Sequence, residues 1–401
     1  MLTIALIREG KIPADNRVAL TPAQCKWLKQ NSLDINILVQ PSPTRCFPDK
    51  DYEMAGALIT EEVDKADILL GIKEVPKDQL IANKTYLFFS HTKKAQPHNK
   101  PLMLEMVKKN ITLIDYECLT HEDGQRIIGF GFFAGIVGAH NGMMAYGERT
   151  GKFKLGRVKD VRDYRQLIHT YFGLKIPPIK IAVTGSGRVA HGILEIMNLM
   201  GIHEVEPFDY LHKSYQYPVY VHLKGRDLYE RKDDGTYNRH NFHEHPDQYK
   251  CSFSPFIKQT DILMNGIYWD KGIAPLFTLD EFKSTNFKIQ TIADITNDEG
   301  GSVPVNKGDS TIEQPIYGVD KTSLSKTSQY ESNSVDIIAV GNLPNELPRD
   351  ASRYFGEQLI KYILEDLAKG GSSIIDRATI LKNGKLTKEY AHLEEYASNS
   401  L

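Results

Sequence analysis

Apolar and polar positions in the first third of the chain alternate in two ways. Short runs of branched and aromatic residues predict buried strands at 2–7, 34–39, 66–72, 86–89 and 112–116. Apolar residues at helical spacing predict helices from 22 to about 31 and from 98 to 109. Strands that alternate with helices in this way favour a parallel sheet with helices on both faces.

The same alternation starts again at residue 180. An apolar run at 180–184 is followed by a glycine turn and by an amphipathic helix at 193–200, which Gly201 closes. Further core strands are predicted at 205–209, 262–268 and 289–295. We therefore predict an α/β fold with two Rossmann-like, doubly wound parallel-sheet domains and an interdomain cleft.

Three segments fall outside this alternation. Small residues dominate 130–146, which predicts a helix packed tightly between the domains. The polar segment at about 211–255 is predicted to be an insertion with a hairpin turn at 233–235. From 348 to about 369 we expect a long amphipathic helix, followed by a polar tail. The buried side of that helix is predicted to carry Tyr354, Leu359, Tyr362 and Leu367.

The composition is that of an ordinary globular protein and argues against several classes. The 401 residues are 41% hydrophobic and 25% charged, which is enough for two domains with full cores. A formal net charge of −2 gives no basic excess for nucleic acid or an anionic membrane. Apolar runs fall short of the ~20 residues of a membrane span, and no signal-peptide pattern opens the chain, so we predict a cytoplasmic protein.

Cysteines and histidines give no metal pattern. The four cysteines show neither zinc spacing nor a disulfide framework and are interpreted as reduced thiols. His240, His243 and His245 lie close together, but no carboxylate or cysteine completes a zinc spacing. A solvated loop is the favoured interpretation over zinc, and no metal is predicted.

The glycine turn before the helix at 193–200 is the strongest indication of chemistry. Gly185 permits the turn, and Gly187 lets backbone N–H groups approach a pyrophosphate at a helix N-terminus. We predict that a dinucleotide is bound by Gly185, Ser186, Gly187, Arg188, Val189, Asp209, Ile267 and Tyr268.

Asp209 stands at the end of the next predicted strand, where it is placed to bind a ribose hydroxyl. A carboxylate there repels a 2′-phosphate and favours NAD over NADP. His212 and Lys213 lie close by and act against this preference, so the cofactor is NAD or NADP, with NAD the favoured of the two.

Ionisable residues follow two strands of the first domain, where clefts open in parallel sheets. Lys73 and Glu74 come after one strand, and His91 comes after another. A lysine in a partly desolvated cleft and a histidine both supply acid–base groups with pKa values near neutrality. Arg17 and Arg126 are candidates for binding carboxylates through paired hydrogen bonds. The alternatives are a surface ion pair for Lys73 with Glu74 and a domain-internal salt bridge for either arginine.

These segments together resemble a known enzyme family. Arg17-Val-Ala-Leu-Thr-Pro, Gly-Ile-Lys73-Glu74 and the segment around His91 are similar to the family of lysine-forming saccharopine dehydrogenases, alanine dehydrogenases and the nucleotide-binding part of proton-translocating transhydrogenase. Narrower motifs resemble the lysine–ketoglutarate reductase half of the bifunctional lysine-degrading enzyme. They lie at 89–96, 113–117, 265–269, 294–302, 311–315 and 342–349, so the resemblance covers nearly the full chain.

The resemblance implies roles for individual residues. Lys73 and His91 are implied to form the acid–base pair, and Glu74 and Glu117 to modulate it. The residues implied to hold the carboxylates of the substrate are Arg17, Lys94 and Arg126.

The family fold further implies a substrate domain of residues 1–132 plus 340–401. A dinucleotide-binding domain of residues 133–339 is implied to contain the insertion at about 211–255. One position departs from the family pattern: Gly341 stands where those relatives carry an aspartate near the nicotinamide end of the cleft. The loss of a carboxylate there is expected to alter cofactor contacts or substrate choice.

The implied activity is that of an NAD- or NADP-dependent oxidoreductase acting on the CH–NH group of saccharopine, which it interconverts with L-lysine and 2-oxoglutarate. Its expected partners are small amino-acid and 2-oxoacid substrates, in a monomer or small homo-oligomer, with no nucleic acid and no membrane. Two alternatives stay open. One is an alanine dehydrogenase-type enzyme with a smaller site, and the other is a non-catalytic nucleotide-binding subunit of a transhydrogenase.

Overall fold

A computed structural model describes residues 2–31 and 35–398. It divides into two compact units: the first contains the described residues up to Phe130 and from Pro348 onward, and the second is Gly131–Leu347. Each unit is built on one eight-stranded sheet flanked by helices, so the α/β fold with two domains is confirmed.

The elements are named here in chain order. The strands are β1 (Leu2–Leu6), β2 (Ile35–Val39), β3 (Leu58–Ile59), β4 (Ile68–Leu70), β5 (Thr85–Phe88), β6 (Thr112–Asp115), β7 (Lys180–Thr184), β8 (His203–Glu204), β9 (Val219–Leu223), β10 (Tyr229–Arg231), β11 (Tyr249–Cys251), β12 (Ile262–Asn265), β13 (Thr291–Asp294), β14 (Ile316–Asp320), β15 (Lys326–Thr327), β16 (Ser334–Ile338), β17 (Thr379–Lys382) and β18 (Lys385–Leu386). The α-helices are α1 (Pro22–Asn31), α2 (Asp49–Met54), α3 (Lys100–Lys108), α4 (Gly131–Thr150), α5 (Tyr164–His169), α6 (Arg188–Leu199), α7 (Pro207–His212), α8 (Arg239–Glu244), α9 (Leu279–Lys283), α10 (Pro348–Leu359), α11 (Glu365–Ala368) and α12 (Ser373–Ala378). Short 3₁₀ segments lie at Val63–Lys65, Pro97–Asn99, Tyr116–Cys118, Val158–Asp160, Gly225–Asp227, Pro246–Gln248, Ser254–Phe256, Leu343–Glu346 and Lys388–Leu393, and a π-helical turn at Ile360–Leu364.

The sheet of the first unit has the order β18-β17-β6-β5-β4-β1-β2-β3. The strands from β3 to β6 pair in parallel, and β17 pairs with β6 in the antiparallel direction. Ile4, Leu69 and Leu87 are fully buried, because central parallel strands are covered on both faces. The chain runs from β1 outward to β3 on one side and then from β4 to β6 on the other. The carboxyl ends of β1 and β4 therefore meet at the switch point, where open sheets of this kind bind ligands.

The sheet of the second unit has the order β15-β14-β16-β13-β12-β7-β9-β8. Its strands pair in parallel except for β14, which is antiparallel to both of its neighbours. The switch point lies between β7 and β12, since β8 and β9 are on one side of β7 and β12, β13 and β16 are on the other.

The predicted small-residue helix is α4, and its Gly135 packs against Gly192 of α6 within the second unit. A Cβ atom on Gly135 would lie 2.0 Å from the carbonyl oxygen of Val189, and one on Gly192 would lie 2.0 Å from that of Phe132. Backbones that approach this closely leave no room for a side chain. The two helices are therefore held at a distance that only glycine permits.

The predicted strand at 205–209 is wrong. The strand beside β9 is His203–Glu204, the Val205 N–H still donates to Tyr220 of β9 at 2.9 Å, and Pro207 then begins helix α7. Proline has no N–H for a sheet and fits the first turn of a helix, so the chain turns helical there.

The segment at about 211–255, predicted to be a polar insertion, is ordered and partly buried. Residues 231–236 form a tight turn, in which the Gly235 N–H donates to the Arg231 carbonyl at 3.1 Å and the Arg231 N–H donates to the Thr236 carbonyl at 2.8 Å. The strand partner of β10 is β11. Aromatic side chains make the segment part of the hydrophobic core of the second unit, and the buried ones are Tyr229, Phe242, Tyr249 and Phe253.

The region after residue 348 departs from its prediction in two respects. The π-helical turn Ile360–Leu364 shifts the face of the helix, so Tyr362 is 38% exposed while Ile363 and Leu364 are buried. The predicted polar tail is wrong, because β17 and β18 extend the sheet of the first unit.

Among the described residues, no group of three His, Cys, Asp or Glu side chains is placed to hold a metal ion. In the same part of the chain, none of the helices has the length and apolar character needed to cross a membrane. All four cysteines are free thiols, and Cys25 and Cys118 are buried.

Candidate active and nucleotide-binding sites

The switch point of the first sheet brings together the segments that follow β1 and β4. The Glu9 carboxylate accepts the backbone N–H of Ile72 at 2.6 Å and that of Lys73 at 2.9 Å. Burial and the nearby Asp15 raise the pKa of Glu9 to about 8, against the effect of the two N–H donors and Arg17. Glu9 thus fixes the peptide that carries Lys73.

Lys73 lies in an environment that destabilises its charged form. Burial lowers its pKa, and the positive charge of Arg17 lowers it further. Glu74 and Asp15 act in the opposite direction without reversing the effect. A lysine whose pKa moves toward neutrality exchanges protons more readily near neutral pH, as a general acid or base requires.

His91 is oriented by an ionised carboxylate. Its Nδ1 lies 2.7 Å from Oε1 of Glu74, and Nζ of Lys11 lies 2.7 Å from Oε2 of the same side chain. Burial would raise the pKa of Glu74, but hydrogen bonds and the positive charge of its partners hold that pKa well below its usual range. A carboxylate at Nδ1 keeps the proton there and leaves Nε2, across the ring, as the nitrogen for proton transfer.

The two predicted carboxylate-binding arginines both form ion pairs inside the first unit. Arg17 is 3% exposed and donates to Asp15 through two hydrogen bonds of 2.9 and 2.6 Å. Burial would raise the pKa of Asp15, yet Arg17 lowers it to about 2. Arg126 lies 2.7 Å from the carboxylate of Glu117, so Glu117 pairs with an arginine whereas Glu74 acts on Lys73.

The substrate-binding role of these residues stays a prediction. Lys94, the third predicted carboxylate ligand, is exposed on the loop after β5.

Sequence reasoning missed three members of this cluster: Glu9, Lys11 and Asp15. All three follow β1, as Lys73 follows β4 and His91 follows β5. Lys73 was identified because ionisable residues after the carboxyl end of a parallel strand are candidates for a site. The same criterion applied to β1 identifies Glu9, Lys11 and Asp15.

The glycine turn of the second unit forms a cradle at the other switch point. Gly185 has φ of +109°, and a Cβ atom there would lie 2.4 Å from the carbonyl oxygen of Gly266. Gly187 has open space on its Cβ side and directly precedes α6. A backbone without side chains at a helix N-terminus suits a pyrophosphate, so the residues present fit a dinucleotide.

The other predicted cofactor residues surround this turn. Ser186 is exposed within it, and Arg188 and Val189 open α6. Ile267 and Tyr268 follow Gly266, and Tyr268 is 63% exposed. Their contacts with a cofactor stay predictions.

A buried polar network ties the carboxyl ends of β7, β12 and β13. Asn265 accepts from the Thr184 hydroxyl at 2.7 Å and donates to the Asp294 carboxylate at 2.8 Å. Asn306 donates to the other oxygen of Asp294 at 2.8 Å. Burial raises the pKa of Asp294 to about 6 against these donors. The network fixes the strand ends that carry the turns at Thr184 and Gly266.

Asp209 is not at a strand end. It lies in the first turn of α7, 2.7 Å from Nζ of Lys213. The strand beside β7 is β9, whose last residue Leu223 pairs with Thr184. The expected position for a ribose-binding residue is therefore after Leu223, in the segment interpreted as an insertion.

The residues that follow β9 are basic and exposed: Lys224 and Arg226. His222 links this strand end to the glycine turn, with Nε2 2.7 Å from the carbonyl oxygen of Gly185. Asp227 lies in the same turn, where its carboxylate accepts the Lys224 N–H at 3.3 Å.

Comparisons with known proteins match both parts of the chain. Residues 5–137 match the family described as "Alanine dehydrogenase/PNT, N-terminal domain", and residues 172–393 match "Alanine dehydrogenase/PNT, C-terminal domain". A solved structure of L-alanine dehydrogenase superimposes with a TM-score of 0.66 at 16% identity, covering 98% of this chain and 99% of that one.

Two curated relatives are similar over nearly the whole chain. The mitochondrial alpha-aminoadipic semialdehyde synthase of Rattus norvegicus is 31% identical over 98% of this chain, which spans 47% of that protein. The saccharopine dehydrogenase [NAD(+), L-lysine-forming] of Candida glabrata is 26% identical over 95% of this chain and 96% of its own length. The chain thus spans about half the length of the synthase and nearly all of the dehydrogenase.

Proposed function

The chain belongs to the alanine dehydrogenase/PNT family, and on that premise we propose that it is a nicotinamide-nucleotide-dependent oxidoreductase acting on saccharopine. The reaction interconverts saccharopine with L-lysine and 2-oxoglutarate. The observation that carries this proposal is the likeness to proteins named for saccharopine and for aminoadipic semialdehyde over nearly the whole chain. The likeness to alanine dehydrogenase, in contrast, is one of fold.

The proposed reaction needs two proton-transfer groups in the first unit. A bound nicotinamide ring would supply the hydride acceptor. The hydride leaves the carbon, next to the secondary amine of saccharopine, that becomes the keto carbon of 2-oxoglutarate. Water then adds to the resulting substrate imine, and collapse of the carbinolamine releases L-lysine and 2-oxoglutarate. His91 and Lys73 move the protons of these two steps, because both have the acid–base character that hydration and collapse require.

The environment of each group supports its role. Burial lowers the pKa of Lys73, which favours the neutral amine that can accept a proton. Glu74 holds the Nδ1 side of His91 at 2.7 Å and so orients Nε2. Glu9 holds the backbone of Lys73 through its N–H.

Charge at the end of β9 favours NADP(H) over NAD(H). In dinucleotide folds, the residue after the strand beside the glycine turn lies at the adenosine ribose, where an acidic residue selects NAD and a basic one accepts a 2′-phosphate. Here that position is Lys224, with Arg226 close behind.

Replacing Lys224 by Ala tests the cofactor choice. The dissociation constant for NADPH is expected to rise about tenfold, since a charge-assisted hydrogen bond is lost, while that for NADH stays constant. Lys213→Ala is the matched control, because that lysine pairs with Asp209 in α7. Equal affinity of the Lys224→Ala variant and the parent chain for NADPH would reject this assignment.

Steady-state oxidation of NADPH and NADH tests the reaction. We expect saturable turnover with L-lysine plus 2-oxoglutarate and none with pyruvate plus ammonium. Turnover with the second pair alone would make the protein an alanine dehydrogenase. Cofactor binding without turnover in either mixture would instead favour a non-catalytic nucleotide-binding subunit. A cytoplasmic location and a monomer or small homo-oligomer stay predictions.

A further inference from the structure

The backbone after β16 runs beside a loop that carries an exposed carboxylate. The Ser310 N–H donates to the Ala339 carbonyl oxygen at 2.9 Å, and Ser310 forms a parallel bridge with Val340. Asp309 is thereby placed against Gly341. A Cβ atom on Gly341 would lie 3.1 Å from Oδ2 of Asp309 and 3.4 Å from its Cγ. The carboxylate of Asp309 thus occupies the space that a side chain at position 341 would enter.

Asp309 is exposed, yet its position is fixed. Nδ2 of Asn297 donates to Oδ1 of Asp309 at 2.5 Å. Asn297 itself is anchored to the buried polar network, since its backbone N–H lies 3.4 Å from Oδ1 of Asp294. On the other side, Gly308 turns the chain into Asp309 with φ of +89°, and its N–H donates to Asn306 at 2.8 Å. Asn297 therefore holds the carboxylate, and the Gly308 turn places its backbone, while the side chain remains open to solvent.

The location of Asp309 in the sheet points to one half of a dinucleotide. Such folds consist of two mononucleotide-binding halves that meet at the switch point. The half with the glycine turn, β7 and β9 takes the adenosine nucleotide, so β12, β13 and β16 form the half for the nicotinamide nucleotide. Gly341 follows β16, and Asp309 lies beside it.

We propose that Asp309 binds the nicotinamide nucleotide, by accepting a hydrogen bond from its carboxamide or ribose hydroxyl groups in the space beside Gly341. A carboxylate only accepts hydrogen bonds, and these groups are the uncharged donors of that nucleotide. This inference rests on the proposed use of a nicotinamide cofactor. It does not depend on which amino acid is oxidised.

Calorimetric titration of the whole chain with NADPH and with 2′,5′-ADP tests this assignment. 2′,5′-ADP carries the adenosine of NADPH with its 2′-phosphate and 5′-phosphate but lacks both the nicotinamide and its ribose. Asp309→Asn keeps the shape and removes the charge, so the dissociation constant for NADPH is expected to rise about tenfold relative to that for 2′,5′-ADP. Glu299→Gln is the control, because this neighbouring carboxylate faces Gly308 instead, and both affinities should stay at the parent value. An unchanged NADPH affinity, or equal losses for both ligands, would overturn the proposal.

A second test moves the carboxylate from position 309 to the neighbouring position 341. Gly341→Asp alone is expected to weaken NADPH binding, because two carboxylates then crowd one space. The double variant Asp309→Gly with Gly341→Asp should recover most of the affinity that Asp309→Gly loses. No recovery would reject the assignment, provided that the thermal unfolding of the double variant matches that of the parent.

These titrations separate the present inference from the proposed reaction. The protein could fail to use L-lysine and 2-oxoglutarate while Asp309→Asn still shows the expected loss of NADPH affinity. That outcome would reject the proposed reaction and support the role of Asp309 in binding the nicotinamide nucleotide. Failure of the parent chain to bind either ligand would overturn both.

Discussion

The chemistry assigned to Lys73 depends on its surroundings more than on its place in the chain. Burial and Arg17 lower its pKa, while Glu74 and Asp15 oppose them. Removal of any one of these groups changes the balance. Lys73 and His91 also share Glu74, which is hydrogen-bonded to His91 and raises the pKa of Lys73.

Replacing Lys73 by Met should lower turnover by about 10² to 10⁴, because a positioned acid–base group contributes that much. The affinity for NADPH is expected to remain within about twofold, since glycines of the second unit form the predicted cofactor cradle. Steady-state kinetics and calorimetric titration measure the two effects. The control is Lys77→Met, an exposed lysine after the same strand. Unchanged turnover would remove Lys73 from the mechanism.

Replacing Glu74 by Gln should move the pH dependence of turnover. Glu74 is one of the two carboxylates that raise the pKa of Lys73, so without its charge that pKa falls further. The limb of the pH–rate profile that belongs to Lys73 is then expected to shift toward lower pH. A profile with both limbs in their original place would show that Glu74 does not act on the titrating group.

At the scale of single residues, the sequence predicts which ionisable residues lie at strand ends, but it does not predict which of them form ion pairs. Lys73, Glu74 and His91 were found because each follows an apolar run. The pairing of Glu117 with Arg126, and of Arg17 with Asp15, depends on side-chain geometry over several ångströms. No pattern in one sequence records such geometry.

Elements with long apolar runs could be predicted, and elements shaped by one residue could not. The strands around 180–184, 262–265 and 291–294 follow from buried branched side chains. Helix α7 was missed because Pro207 outweighs the apolar character of its neighbours. Residue 34 of the predicted strand at 34–39 lies outside the described residues, while Ile35–Val39 is a strand.

The contact of α4 with α6 gives a prediction for Gly192. A Cβ atom there would lie 2.0 Å from the Phe132 carbonyl oxygen, so Gly192→Ala forces the two helices apart. We expect the free energy of unfolding to fall by about 1–3 kcal/mol, as in other overpacked cores. Denaturant titration measures the change. Gly156→Ala is the control, since its Cβ would meet open space, and an equally small effect of both substitutions would contradict the close contact.

Over the whole molecule, acid stability should depend on His140. This side chain is buried, and its ring nitrogens lie 2.8 Å from the Gly156 carbonyl and 2.9 Å from the Tyr171 hydroxyl. Burial lowers its pKa from 6.5 to about 4. Between these values the unfolded chain binds a proton that the folded chain excludes, so stability falls as pH drops from 6.5 to 4 and is fully present above 6.5.

The free energy of unfolding is expected to fall by about 3 kcal/mol because of His140, by the conversion of a pKa difference into free energy. His140→Gln should flatten this dependence, and the difference between parent and variant removes the effect of all other titrating groups. Chemical denaturation at several pH values measures it. His98→Gln, at an exposed position, serves as the control. Parallel curves for the parent and His140→Gln would show that the pKa of the histidine is the same in the folded and the unfolded chain.

The return of the chain to the first unit determines the order in which the two units can be completed during synthesis. The second unit is one continuous segment, Gly131–Leu347, so all of its strands are synthesised before the chain returns to the first unit. The sheet of the first unit starts with β1 but receives β17, beside β6, only after that whole segment has been made. The second unit can therefore be completed on the ribosome before the first unit, although the first unit begins earlier in the chain.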